Sequence, residues 1–188
     1  MKVAFVVFCA FVVVAADDEC EAKLTQKIIA LNGDFFKPGT IKTLLRQNFD
    51  MYYKQNKTLK EIADYYYTNY NNIDYFSSSQ IDQLTKVLNN ITTCVGGPEA
   101  FTKLYNNSQQ IALDFLKPDE EQVDNVINSQ PPTATDEDVA TAVCQKVFEL
   151  ATLQRKIEFE KKMWATLPEN CLASSKAAIS TIAKVHVV

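Results

Sequence analysis

Five cysteines and one histidine carry most of the reactive chemistry open to this 188-residue chain. Cys9 lies in an apolar leader, which leaves Cys20, Cys94, Cys144 and Cys171. A thiol acts as nucleophile or metal ligand only as the thiolate, and it needs a basic or positive setting to become one. The four lack CxxC spacing and zinc-finger spacing, so neither a redox pair nor a structural metal is indicated. An even set of widely spaced cysteines fits two disulfides formed in an oxidising compartment.

His186 is a poor catalytic base, because it sits next to the chain end, where backbone order is lowest. A Ser-His or Cys-His pair would have to use it. The sequence has no HExxH, GxSxG, P-loop, GxGxxG or EF-hand loop. Asp119, Glu120 and Glu121 read as charges complementing a helix start. Glu158 and Glu160 lie in the charged run "QRKIEFEKK", a solvated face. Paired carboxylates can cleave glycosides, but no pair here stands out. The reading is a protein that is not an enzyme and needs no metal or cofactor, with a hydrolase as the remaining alternative.

The densest run of rings is "DYYYTNYNNIDYF", Asp64 to Phe76. Stacked rings can hold bases, sugars or apolar ligands. This run has no Lys or Arg, and the whole chain carries a net charge of -4. Single-strand binders pair their aromatic platforms with a positive groove, so nucleic acid is excluded as a partner. At 100° per residue, Leu59, Ile62, Ala63, Tyr66, Tyr70 and Ile73 share one face of a helix. Tyr66 and Tyr70 therefore belong to a core, with hydroxyls that need partners at its edge. Tyr65, Tyr67 and Tyr75 are left over as surface aromatics. With Phe159 from the charged run, they are the candidate contact residues.

The elements that must position these groups read as helices throughout. Glycine is scarce, no alternating strand pattern occurs, and capping signals punctuate helical spacing. A first helix covers roughly Glu19 to Leu31, and a second starts near Pro38. A third begins at Thr58, which forms a capping box with Glu61. A serine caps the fourth, and Gly96-Gly97 ends it. Pro98 opens the fifth, and Pro118 is expected to open a separate short acidic helix. "NSQPPTATDED" is the most loop-like stretch, with Thr135 as the next cap. The spacing of Val139, Val143, Val147, Leu150, Leu153, Ile157 and Trp164 predicts one long helix from Asp136 to about Leu167. Pro168 starts the last. The expected fold class is all-α, a single-domain bundle of about six or seven helices stapled by two disulfides.

That long helix limits the pairing. Cys144 lies near its start and Cys171 just past its end, ~30 Å apart at 1.5 Å rise. A disulfide needs Cα atoms within about 7 Å. Two pairings remain: Cys20–Cys144 with Cys94–Cys171, or Cys20–Cys171 with Cys94–Cys144. A kink near Lys156 would remove the constraint.

The N-terminus predicts a compartment. Lys2, an apolar run from Val3 to Val14, and small residues before Asp17 have the layout of a secretory signal peptide over residues 1–16. The run is too short to span a hydrocarbon layer of about 30 Å. The mature domain would be residues 17–188, secreted and extracellular, with no transmembrane segment. Asn56, Asn90 and Asn106 each open an acceptor sequon for N-glycosylation. Two functions fit these features. One is a carrier of a small apolar ligand in an aromatic-rich core, which predicts a cavity of several hundred Å³. The other is an extracellular protein-interaction module for defence, reproduction or effector work, which predicts a contiguous apolar patch.

Overall fold

A computed structural model describes residues 18–32, 39–69 and 76–183. Eight α-helices lie among them: α1 Asp18–Asn32, α2 Thr40–Phe49, α3 Leu59–Asn69, α4 Ser78–Cys94, α5 Pro98–Asn128, α6 Asp136–Leu150, α7 Leu153–Trp164 and α8 Glu169–Ala183. A π turn, Asp50–Lys54, extends α2, and no strand occurs among the described residues. The chain is an all-α bundle with two disulfides, Cys20–Cys144 and Cys94–Cys171.

Local caps place most of the helix starts. Ser77 accepts from the Gln80 N–H while the Gln80 side chain accepts from the Ser77 N–H, a reciprocal box that starts α4. Thr135 and Asp138 do the same for α6. Thr58 and Glu61 form the expected box ahead of α3. Gly97, at φ 106°, precedes Pro98, the first residue of α5. That φ is unfavourable for any residue with a Cβ, so glycine is required there.

Two helix boundaries differ from expectation. Pro118 does not open a helix; α5 runs through it from Pro98 to Asn128. Proline removes one backbone donor and crowds the turn before it. Here the apolar stripe of Ala112, Phe115, Leu116 and Val123 is buried on both sides of the proline and holds the helix in line. Arg155 also donates to the Phe115 carbonyl at 2.8 Å, beside the disturbed turn. The second difference is a break in the expected long helix at Ala151–Thr152. Thr152 is extended, and its hydroxyl caps α7 by accepting from the Arg155 N–H at 3.1 Å. The premise of the disulfide argument, an unbroken helix, is therefore wrong. The pairing found is still one of the two that argument retained.

The core has two parts. The larger gathers Leu24 and Ile28 from α1, Leu44, Leu45 and Phe49 from α2, and Leu59, Ile62 and Tyr66 from α3, closed by α6, α7 and the second half of α5. The smaller joins Leu84, Val87 and Ile91 of α4 to Trp164 and Leu167, with Phe101 and Leu104 of α5 and Leu172 of α8 packed against it. Helix α5 spans both. Each part holds one disulfide: Cys20–Cys144 ties α1 to α6, and Cys94–Cys171 ties α4 to α8. The Cα separations, 6.4 and 5.8 Å, fit ordinary bridges.

Candidate ligand groove

Residues 64–69 of the opening aromatic run are described, and they differ from expectation at Tyr65, which is not left on the surface because it packs back against Tyr66 and α2. Tyr66 is buried, and its hydroxyl donates to Asn48 Oδ1 of α2 at 2.6 Å, a partner inside the core rather than at its edge. Tyr65 is half-buried, accepts from Gln47 Nε2 at 2.9 Å and packs edge-on to Tyr66. Tyr67 is 46% exposed and lies on Tyr105 at 4.5 Å. The Tyr105 hydroxyl is buried without a partner among the described residues. Burial pushes that phenol well above its usual range, and Tyr67 and Asp64 add to the shift. Tyr70, Ile73 and Tyr75 lie outside the described residues, as does His186.

Phe159 is not a surface residue. It is 4% exposed and packs against Phe115 at 5.3 Å. The break at Thr152 resets the helical phase, so α7 buries Lys156, Phe159 and Met163 while Leu153 is left 61% exposed. Lys156 reaches Glu160 at 2.6 Å, which keeps its buried ammonium paired.

Two spaces among the described residues bear on ligand binding. The first is a partly open, mostly apolar cavity lined by Leu88, Ile91, Phe101, Leu104, Ser108 and Leu167 among others. Its volume is about 10 Å³, room for about one water and none for an acyl chain.

The second is an open groove of about 360 Å³ between α4 and α8, within the usual size of small-molecule sites. Val87, Asn90, Thr93 and Cys94 line one side; Ser174, Ser175 and Ala178 line the other. The groove follows from the local sequence. The Cys94–Cys171 bridge pins the end of α4 to the start of α8. The residues with which α8 lines the groove are two serines and an alanine, too small to fill it.

The chemistry of the groove is narrow. Cys94 is bonded to Cys171, so its thiol is not free. The lining has no Lys, Arg, His, Asp or Glu. Thr93 Oγ1 donates to the Asn89 carbonyl at 3.0 Å. Ser174 and Ser175 Oγ donate to the Cys171 carbonyl at 3.2 and 2.7 Å. Each hydroxyl has used its one proton, and only lone pairs are left to face the groove. Sequence reasoning missed this site except for Cys94, Cys171 and Asn90. The readable signal was the small-residue run "ASSKAA" just after Cys171.

Asn56, Asn90 and Asn106 are all exposed, as acceptor sites must be. Asn56 sits at φ 51° after the π turn, Asn90 is on α4, and Asn106 is on α5. No group of three or more metal-binding side chains occurs among the described residues, and none of the described helices is long and apolar enough to cross a membrane. No protein family, curated protein or solved structure matches the chain.

Proposed function

We propose that this chain is a secreted, non-enzymatic binding protein that takes a small uncharged ligand in the α4–α8 groove. The observation that carries this reading is the pairing of a groove volume of about 360 Å³ with a lining free of ionisable groups. Such a lining has no ionisable general acid or base, and so nothing to activate its serine and threonine hydroxyls as nucleophiles, which favours holding over converting. Secretion is supported by the leader-like N-terminus and by two disulfides, which persist in oxidising compartments. The helix–helix groove is favoured over the apolar cavity between α4 and α5, which holds only about one water.

The test uses secreted protein that carries no glycan and native mass spectrometry against a panel of neutral polyols, sugars and small amphipaths. Ala178→Trp fills the groove from one wall. Retention by the unaltered groove and loss in Ala178→Trp is the expected result. Equal retention by both, or by neither, overturns the reading.

A second reading, an extracellular protein partner, is favoured by Tyr67, 46% exposed on top of Tyr105. It expects a protein that co-purifies from the secreted fluid and is lost with Tyr67→Ser. Co-purification unchanged by that substitution counts against it.

A further inference from the structure

The groove and one acceptor sequon occupy the same place. Asn90 lines the α4–α8 groove, its side chain is exposed, and Thr92 completes the sequon. Asn56 and Asn106 are equally exposed, yet neither lines this groove.

The lining also selects a ligand class. Thr93, Ser174 and Ser175 offer acceptors only, because their protons are committed to Asn89 and Cys171 carbonyls. An occupant with O–H donors can meet these lone pairs, and the Asn90 amide, where it carries no glycan, adds both N–H donors and an acceptor. With no charged residue in the wall, an occupant gains nothing from carrying a charge and would leave one unpaired. Val87 and Ala178 favour an occupant with one apolar face. A pyranose meets all three requirements: several hydroxyl donors, no charge and a face of C–H groups. N-acetylglucosamine adds an amide N–H donor, and it is the sugar that joins an acceptor asparagine.

We infer that the groove is a carbohydrate site, and that in the glycosylated protein the first sugars of the Asn90 glycan occupy it. The inference rests on the proposed ligand groove and names its ligand class and regulation. Attachment is a glycosyl transfer from a lipid-linked diphosphate sugar donor. Sugar C1 bonds to Asn90 Nδ2, Nδ2 loses one proton, and the lipid diphosphate leaves with the electron pair of the broken C–O bond. A glycan seated this way does two things. It shields its own attachment bond, and it excludes free sugar from the groove.

The experiment uses the full chain secreted from glycosylating cells. The folded protein is treated with a peptide-N-glycosidase in heavy-oxygen water, which marks each released asparagine as labelled aspartate. Site-resolved peptide mass spectrometry then follows the three sequons. Release at Asn90 is expected at least about tenfold slower than at Asn56 or Asn106, because the bond is exposed only by local opening. After denaturation the three rates converge. In Ala178→Trp, Asn90 is expected to be released as fast as the others. An Asn90 that carries no glycan, or one released from the folded protein at the Asn106 rate, overturns the inference.

A second arm separates this result from the groove function itself. Thr92→Val removes the sequon with little change in side-chain volume, and its groove is open to free N-acetylglucosamine disaccharide. Binding by Thr92→Val but not by the Asn90-glycosylated protein is expected. If Thr92→Val binds the disaccharide while the Asn90 glycan is unshielded, the self-occupancy inference falls and the groove function stands. If the Asn90 glycan is shielded while Thr92→Val binds nothing from the panel, the inference stands and the carrier function falls.

Discussion

Arg155 serves several groups from one position. Its guanidinium makes two hydrogen bonds to Asp119, at 3.0 and 3.2 Å, donates to the Phe115 carbonyl and lies over the Phe115 ring at 3.8 Å. Asp119 is 7% exposed. Burial pushes its carboxyl above the usual range, and the Arg155 charge pulls it back. Arg155→Ala leaves that carboxylate buried and unpaired and is expected to cost about 3 kcal/mol by urea denaturation at neutral pH. The loss shrinks as pH falls and the orphaned, buried Asp119 takes up a proton. Arg155→Lys keeps the charge and loses the fork, so it should fall between the two. The caps titrate with the opposite sign. Hydrogen bonds from Thr135 hold Asp138 below its usual pKa, and those from Thr58 hold Glu61 below its own. Their contribution is complete above the unfolded values, about 3.9 and 4.3, and fades as pH falls through the lower folded values. Stability should therefore drop on acidification below about pH 4, with a shallower slope in Asp138→Asn. An unchanged slope would remove the caps from the account.

At the scale of elements, the α6–α7 joint is set by one cap. Thr152→Ala removes the acceptor for the Arg155 N–H and is expected to cost about 1 kcal/mol in thermal or chemical melts. A cost near zero would mean that core packing alone sets the break. This joint also shows where sequence reading stops. Thr58, Thr135, Pro98 and a serine cap before α4 were legible because a cap or a first-turn proline acts on its own next few residues; which of the three serines caps, Ser77, came from the structure. The break at Thr152 was not, because Val147, Leu150, Leu153 and Ile157 continue the apolar stripe across it. Arg155 stands where a Glu or Gln would have completed a capping box. Once the break was missed, the phase of α7 was wrong, and Phe159 was placed on the surface. Pro118 erred the other way. A proline signals a helix boundary locally, and contacts from Arg155, 37 positions along the chain, overrule it. The groove depended on a tertiary fact, the Cys94–Cys171 bridge, and sequence reasoning left two pairings open.

For the whole molecule, one bridge per core part predicts separable effects. Removing Cys94 and Cys171 as a pair should raise hydrogen exchange in α4 and α8 and blur the groove, with α1, α2 and α6 still protected. Removing Cys20 and Cys144 should instead loosen the larger part. The closed loops span 124 and 77 residues, and loop-closure entropy assigns each roughly 4–5 kcal/mol. Uniform loss of protection after either removal would show that the two parts melt as one unit.

The two bridges also interleave along the chain: Cys94 falls inside the loop closed by Cys20–Cys144, and Cys171 falls outside it. Mechanical tension applied to the ends of the described bundle would enter through Cys20, jump to Cys144 and leave through Cys171. Only the stretch between Cys144 and Cys171, about 27 residues, lies on that shortest covalent path, so extension between those points stops near 95 Å at ~3.5 Å per residue. A molecule tethered this way stays short under shear even after its helices have unravelled, and reducing agent should lengthen it abruptly.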